Sequence, residues 1–366
     1  FSGVSSGQTA VATITTNRDH YLAASASVSA TLTPIPVISY NASDLNSFST
    51  STSVRDLSGR GNHATRSATV ANSFDIDAAS GAWKFPGGTN AAGPFIDLPD
   101  LTTNTFSSGI TIDFEANFGN ANNWERIIDF GKGVGSNLGP GVDNLFIGRE
   151  GTTSNFVVDV LRGGSATRCQ ATGALATAAL YRWTVILSAN SCVIMRDGVT
   201  LVSNNSNMSV SSNQTWSSNF IGRSNWVADD QFEGQIRYLR MYAGTPSIGQ
   251  IGAVSYKTVT YNTNGGSAVT ASTRGTTSGD LLLADAVTRT GFTFNGWYDS
   301  TNTLSRTKIG NAGARYTPTS SIQLAAGWDA NTLNVTFNSN SGTLVTSTTT
   351  RTGEQLAEPT APTRTG

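Results

Sequence analysis

Short segments in which apolar and polar residues alternate recur through most of this 366-residue chain. Residues 110–118 read ITIDFEANF, where every second side chain is apolar. Because side chains along a β-strand point alternately to the two faces of a sheet, this spacing predicts a strand with one buried face. In VIMRDGVTLV, Asp197 and Gly198 lie between two such arms, which is a strong hairpin signal. The apolar runs are short and lack a helical stripe, so the chain is predicted to be all-β.

Breaks in this pattern divide the chain into modules. Two alternating strands in 1–33 are too few to bury a core alone, and a proline-containing linker follows them. Regularly spaced strands in 37–246 predict a two-sheet sandwich. A further unit covers 257–330, and part of it recurs in 331–366, where VTFNSNSG repeats an earlier VTYNTNGG and a second RTG ends the chain. Two motifs that recur at nearly the same separation in the sequence predict a tandem repeat, and the second copy is expected to be incomplete.

Composition excludes several classes of partner. Charged residues make up 13% of the chain and the net charge is -1, so no basic field is available for nucleic acid or an anionic membrane. The sequence has no run of about 18 apolar residues, which is the length that a membrane-spanning helix needs. Cys169 and Cys192 are too few for a disulfide framework or a four-cysteine zinc site, but they can pair with each other in an oxidising exterior. Polar, lysine-poor β-modules in series indicate an extracellular protein of a bacterial cell surface.

The sequence motifs of 37–246 resemble those of laminin G-like domains of the concanavalin A-like jelly-roll class. The resemblance is carried by DLSGRGNHAT, ITIDFEANF, WERIIDFGKG, CVIMRDGVTLV and the closing IGRSNWVADDQFEGQIRYLRMYAG. It implies two curved antiparallel sheets with a binding rim made of loops.

The flanking segments resemble other bacterial surface modules. Residues 257–330, through VTYNTNGG, TRTGFTFNGWY and LAAGWD, are similar to the β-grasp-type repeat of internalin-like surface proteins. Residues 1–33 resemble the closing strands of an immunoglobulin-like repeat. The expected fold class is therefore an all-β multidomain chain, with a concanavalin A-like jelly roll followed by small β-grasp-type repeats.

The stretch DLSGRGNHAT has two interpretations. Some laminin G-like domains hold calcium at such a loop, which implies Asp56 and Asn62 as ligands, with Asp230 completing the set if its loop lies nearby. Alternatively, Asp56 and Ser58 bond to their own backbone in an Asx-type turn. Both readings stay open, so Ca²⁺ is a possible cofactor.

The sequence predicts no enzyme. Asp113 and Glu115 share one face of a strand, as a glycosidase pair would, but Thr111 stands where the glycosidases of this fold carry another Glu. Both acids are expected to be solvated. His20 and His63 belong to different modules and lack an accompanying nucleophile motif.

Indole side chains in Asn- and Ser-rich surroundings predict a ligand platform. Trp216 and Trp226, with Asn225 and Asp229, are the expected ligand-binding residues, because sugars stack apolar C–H faces on indoles. Trp124 is expected to pack instead. The first hypothesis is a non-catalytic adhesion segment whose rim loops hold a glycan or a cell-surface protein. The alternative is a structural subunit that associates with itself into a surface fibre or layer through its flanking β-modules.

Overall fold

A computed structural model gives the fold, and it divides the chain into two compact units, 1–255 and 256–366. Almost all regular structure is β, which confirms the predicted all-β class. The structure describes residues 9–16, 24–31, 33–44, 47, 52–67, 76–77, 79–89, 93–132, 143–176, 179–269, 273–276, 280–300 and 306–366. His20, which entered the argument against catalysis, lies outside these residues.

The described residues of the first unit form twenty strands, a 3-10 turn and one short helix, α1. In chain order the strands are β1 (Thr9–Thr16), β2 (Ala24–Thr31), β3 (Ile38–Asn41), β4 (Ser53–Val54), β5 (Ala64–Arg66), β6 (Ile76–Asp77), β7 (Ala82–Pro86), β8 (Ile96–Leu98), β9 (Leu101–Thr102), β10 (Ile110–Phe118), β11 (Arg126–Gly131), β12 (Asn144–Arg149), β13 (Phe156–Arg162), β14 (Ser165–Ala171), β15 (Tyr181–Ser188), β16 (Ser191–Arg196), β17 (Val199–Asn204), β18 (Thr215–Trp216), β19 (Ser218–Ile221) and β20 (Glu233–Ala243). The 3-10 turn is Thr103–Phe106 and α1 is Ile248–Ile251.

Two large antiparallel sheets form the body of this unit. The back sheet has the order β17-β16-β15-β10-β20-β7-β6, with β3 also paired to β20. The front sheet has the order β14-β13-β12-β11-β19-β8-β5-β4. Strands β1 and β2 pair with each other as a separate hairpin. The predicted turn between β16 and β17 places Asp197 and Gly198 at positive φ, as a tight hairpin requires.

The core lies between the two sheets and is rich in aromatic rings. The rings of Phe156 and Trp183 stack with centroids 4.4 Å apart, and the ring of Phe114 is nearly parallel to that of Phe156, with centroids 6.4 Å apart. Phe156 belongs to the front sheet, whereas Phe114 and Trp183 belong to the back sheet. Aromatic packing therefore fixes the two sheets face to face.

The acids of ITIDFEANF do not lie in solvent, so the expectation that both are solvated is wrong. Asp113 is fully buried, and its carboxylate accepts hydrogen bonds from Arg182 Nε (2.7 Å), Arg240 (2.6 Å) and Thr184 Oγ1 (2.9 Å). Both arginines also donate to the carbonyl of Gly252, at the end of α1. The segment after β20 therefore covers the polar face of β10. Glu115 is half-buried and pairs with Arg237 at 2.5 Å.

A disulfide joins the two sheets at one edge of the sandwich. Cys169 on β14 of the front sheet bonds to Cys192 on β16 of the back sheet, and both are buried. Cross-linking residues that are 23 apart restricts the unfolded chain, which is worth about 3 kcal/mol by loop-entropy arguments.

Reduction of this disulfide is expected to lower the free energy of unfolding by about 3 kcal/mol. Urea unfolding followed by tryptophan fluorescence, with and without dithiothreitol, measures the difference. A variant with both Cys169→Ala and Cys192→Ala serves as the control, because its midpoint is expected to be the same with and without the reductant. An unchanged midpoint for the native chain under reductant would contradict the expectation.

The described residues of the second unit form strands and a smaller core. In chain order the strands are β21 (Lys257–Asn262), β22 (Thr273–Thr276), β23 (Leu281–Leu282), β24 (Phe292–Asp299), β25 (Lys308–Gly310), β26 (Arg315–Tyr316), β27 (Ile322–Ala330), β28 (Thr332–Val335) and β29 (Thr348–Arg351). A five-stranded sheet has the order β22-β21-β27-β24-β25, in which β21 and β27 run parallel. The core centres on Trp297, whose Nε1 donates to the carbonyl of Ala284 at 2.8 Å.

No helix among the described residues is long and apolar enough to cross a membrane.

Candidate ligand-binding cleft

A row of side chains crosses the outer face of the front sheet. The register places Asp129 beside Phe146, Phe146 beside Asp159, and Asp159 beside Arg168 on four successive strands. Their sequence neighbours Ile128, Leu145, Val158 and Cys169 belong to the core. Because side chains alternate between the faces of a sheet, the row points away from the core.

Arg126 packs against Phe146 of this row and is only 3% exposed. Its guanidinium lies 3.8 Å from the centroid of the Phe146 ring, and it donates to the carbonyl of Trp124 at 2.7 Å and to Asp229 Oδ2 at 3.0 Å. Its Nε lies 3.8 Å from Asp129 Oδ2 and has no hydrogen-bond partner among the described residues. Burial lowers the pKa of Arg126, whereas the neighbouring carboxylates Asp129 and Asp229 raise it.

Two half-buried indoles flank Arg126. The guanidinium lies 5.3 Å from the Trp124 ring and 5.7 Å from the Trp226 ring, within the range of cation–π attraction. Trp124 adopts a positive φ of 54°, and its N–H donates to the carbonyl of Gly151 at 2.9 Å. Trp226 meets Phe146 edge to face, with the ring centroids 5.9 Å apart. The two indoles therefore keep their places through contacts that need no ligand.

Together these groups form a cleft of about 310 Å³. This volume is typical of a small-molecule site rather than of a broad protein interface. Its chemistry combines aromatic faces with carboxylates and guanidinium groups, which suits a ligand that has both apolar and hydroxyl-bearing surfaces. The cleft is lined by Trp124, Arg126, Phe146, Asp159, Leu161, Ala166, Arg168, Trp226 and Asp229.

Two of the four predicted ligand-binding residues, Trp226 and Asp229, line this cleft. Asp229 is half-buried, and its Oδ2 accepts hydrogen bonds from Arg126 and from Ser224 Oγ at 2.7 Å. Burial raises the pKa of Asp229, an effect that the Arg126 charge opposes. Its Oδ1 has no donor among the described residues, which leaves one carboxylate oxygen available to a hydroxyl group.

The other two predicted residues are buried, so their expected role in direct binding is wrong. Trp216 is 1% exposed and packs on Phe106, with the ring centroids 5.9 Å apart. Asn225 is 2% exposed, and its amide Nδ2 and backbone N–H both donate to the carboxylate of Asp129 at 2.9 Å. Asn225 thus anchors the loop between β19 and β20, which carries Trp226.

The Asp56 loop adopts the Asx-type turn. Asp56 Oδ1 accepts hydrogen bonds from the backbone N–H of Ser39 and Ser58 at 2.9 Å, and Oδ2 accepts from Ser58 Oγ at 2.6 Å and from the N–H of Asn62 at 3.0 Å. Each carboxylate oxygen therefore already has two donors. Because Ca²⁺ binds through the lone pairs of its oxygen ligands, and hydrogen-bond donors occupy those of Asp56, the predicted ligand set does not fit the ion in this arrangement.

Asp230 is not part of that loop. Its Oδ2 accepts from the N–H of Asn123 at 2.8 Å, so it ties the Trp226 loop to the segment that precedes β11. Throughout the described part of the chain, no group of three His, Cys, Asp or Glu side chains could hold a metal ion. Asp56, Asn62 and Asp230 act here as hydrogen-bond partners of the backbone.

Sequence reasoning missed most of the cleft. Trp124 was expected to pack, yet it forms one wall, and Arg126, Phe146, Asp159 and Arg168 were not singled out. The available signal was a charged residue inside an otherwise apolar strand, as Asp159 is in FVVDVLR. Such a residue indicates an exposed or paired position, but its partner depends on the register between strands.

Two family models match segments of the chain. Residues 90–252 match the Laminin G_3 model, described as the concanavalin A-like lectin/glucanases superfamily. Residues 258–327 and 334–366 match the Listeria-Bacteroides repeat domain. The resemblances to a concanavalin A-like domain and to a bacterial repeat are thus confirmed. No curated protein matches the chain in sequence at a significant level.

Several solved structures are similar in fold at low sequence identity. Domain 4 of AbnA, an extracellular arabinanase from Geobacillus stearothermophilus in complex with arabinotriose, is 15% identical with a TM-score of 0.43, and the match covers 60% of this chain and 97% of that one. The binding domain of botulinum neurotoxin DC, in complex with rat synaptotagmin II, is 12% identical with a TM-score of 0.43, covering 59% and 50%. The Ruminococcus gnavus IT-sialidase CBM40 is 12% identical with a TM-score of 0.36, covering 48% and 97%.

Proposed function

We propose that the cleft on the front sheet is a non-catalytic binding site for a glycan. The observation that carries this proposal is that two half-buried indoles, Trp124 and Trp226, line one cleft together with Arg126 and Asp229. A sugar ring has apolar C–H faces and hydroxyl edges, so it can stack on an indole while its hydroxyls bond to a carboxylate. The match of 90–252 to a superfamily that includes lectins supports the same class of ligand.

The cleft is well prepared for binding because its walls are held in place without a ligand. Asn225 and Asp230 tie the Trp226 loop to Asp129 and Asn123, and Trp124 is held by Gly151. A site whose side chains are already ordered loses less conformational entropy on binding.

The carboxylates of the cleft argue against hydrolysis. Retaining and inverting glycosidases need two carboxyl groups across the scissile bond, one of them protonated. Arg168 donates hydrogen bonds to both oxygens of Asp159, and Arg126 donates one to Asp229. Because the Arg168 guanidinium covers both oxygens of Asp159, this carboxylate is not free to act together with Asp229 on a scissile bond.

This binding module fits an extracellular segment of a bacterial surface protein. The buried Cys169–Cys192 disulfide supports an oxidising location. In this proposal the repeats of the second unit, including the internalin-type β-grasp assignment, act as spacers between the cleft and the cell. A cell-surface protein as ligand, and a surface fibre or layer formed by self-association, remain the alternatives.

Trp226→Ala is expected to weaken glycan binding roughly tenfold or more, since a stacking aromatic at the centre of a site is worth about 1.5–2 kcal/mol. A glycan array screen of the full chain first identifies a ligand, and isothermal titration calorimetry then measures the affinity of native and variant proteins. Val227→Ala is the matched control, because Val227 is the next residue, is 50% exposed and does not line the cleft. Equal affinities for native protein and Trp226→Ala would reject the cleft as the site.

A further inference from the structure

We propose that the cleft selects neutral glycans and discriminates against glycans that carry a carboxylate or sulfate. This inference rests on the proposed glycan-binding function and names the class of ligand. Arginine side chains in a binding site commonly attract anions, because guanidinium groups bond to carboxylates in pairs. In this cleft the two guanidinium groups are already neutralised by carboxylates of the protein itself.

Arg168 is occupied by two acids. Its Nε and one terminal nitrogen donate to the two oxygens of Asp159 at 2.9 and 2.8 Å, and its other terminal nitrogen donates to Glu150 at 2.5 Å. The two Arg168 nitrogens that bond to Asp159 are the same pair of donors that would otherwise bind a ligand carboxylate. Asp159 is buried, so this pair lies at the wall of the cleft and not in bulk solvent.

Arg126 is occupied in a similar way. One terminal nitrogen donates to Asp229 at 3.0 Å, the other donates to the Trp124 carbonyl at 2.7 Å, and Asp129 lies 3.8 Å from Nε. Its remaining surface faces the Phe146 ring at 3.8 Å. Both terminal nitrogens of Arg126 therefore already have an acceptor, and the nearest charged group to its unbonded Nε is the carboxylate of Asp129.

The balance of charge around the cleft is negative. The guanidinium groups of Arg126 and Arg168 pair with Asp129, Asp229, Asp159 and Glu150, which is two positive groups against four acidic ones. The residues that line the cleft are balanced, with Asp159 and Asp229 against Arg126 and Arg168, and the acids Asp129 and Glu150 lie just behind the two arginines. A ligand anion that enters therefore meets net repulsion at short range, whereas a neutral sugar finds the free Oδ1 of Asp229 and the indole faces.

The test compares matched pairs of oligosaccharides that differ only in carboxylates, such as galactose and galacturonic acid oligomers, and adds neutral and sialylated or sulfated glycans. The probes are measured against the full chain by calorimetry. Neutral members are expected to bind roughly tenfold or more tightly than their acidic counterparts. Equal or tighter binding of the acidic members would overturn the inference and leave the proposed function standing. Failure of every glycan to bind would reject the proposed function and the inference with it.

Asp229→Asn tests the charge argument directly. This substitution removes the negative charge that pairs with Arg126. The ratio of the affinity for neutral ligands to that for acidic ligands is therefore expected to fall roughly tenfold. Asp100→Asn is the control, because Asp100 is exposed and does not line the cleft. An unchanged preference in folded Asp229→Asn would contradict the role given to Asp229.

Salt dependence of the native protein provides a second measurement that needs no variant. Raising the ionic strength screens repulsion, so the affinity for acidic ligands is expected to rise while that for neutral ligands stays the same. An affinity for acidic ligands that falls with added salt would show net attraction and overturn the inference.

Discussion

Asp113→Ala is expected to lower the free energy of unfolding of the sandwich by about 3–5 kcal/mol, the usual cost of removing one partner of a buried ion pair. The loss is large because Asp113 is the acceptor for both Arg182 and Arg240, at 2.7 and 2.6 Å, and for Thr184. Without the carboxylate, two guanidinium groups face each other across β10 beneath the segment that ends at Gly252. Urea unfolding monitored by far-UV circular dichroism and tryptophan fluorescence measures the change.

Glu150→Ala is the matched control for Asp113→Ala. Glu150 also accepts from an arginine, at 2.5 Å, but the side chains of Glu150 and Arg168 are 27% and 35% exposed. Pairs that remain in contact with water contribute about 0–1 kcal/mol, so this variant is expected to unfold close to the native midpoint. Equal losses in the two variants would show that burial of Asp113 is not what makes its ion pairs important.

Trp216→Ala is expected to destabilise the sandwich by about 3–5 kcal/mol, the range for truncating a buried aromatic side chain. Trp216 stacks on Phe106 and also meets Phe130, with the ring centroids 5.9 and 6.3 Å apart. Removing the indole would leave a cavity inside the core cluster that the neighbouring rings cannot fill without moving. Thermal and urea unfolding of the full chain provide the measurement.

Trp226→Ala provides the matched comparison, since it removes the same side chain from a half-buried position in the same module. It is expected to reduce glycan binding with a smaller loss of stability than Trp216→Ala. Trp216→Ala, measured under conditions where it remains folded, is expected to keep native affinity. A reversal, with Trp216→Ala abolishing binding and Trp226→Ala unfolding the protein, would overturn the assignment of both residues.

Local patterns in the sequence were sufficient to predict much of the architecture. The alternation in ITIDFEANF corresponds to β10, and Asp197-Gly198 corresponds to the β16–β17 turn. The repeated VTYNTNGG motif marks the segments that match the bacterial repeat family. These features were predictable because strand periodicity and turn conformation depend on residues that are close together in the chain.

Tertiary structure decided the rest, because a strand pattern tells which side chains share a face but not what covers that face. Asp113 was expected in solvent, and it is buried because α1 and the arginines of neighbouring strands lie over it. Trp216 and Trp226 lie in similar sequence surroundings, yet one packs in the core and the other lines the cleft. Contacts with residues far away in the sequence determine which of the two indoles is buried.

The cleft itself depends on register between strands far apart in the sequence. Arg126 meets Asp229 across 103 residues, and Asp129 meets Asn225 across 96. Likewise, the sequence around Asp56 is compatible with a calcium-binding loop. The structure shows instead that the N–H of Ser39, on β3, donates a hydrogen bond to Asp56 Oδ1. The sequence by itself determined the all-β class, the hairpin and the repeat, whereas only the packing of the two sheets determined which side chains were left to meet a ligand.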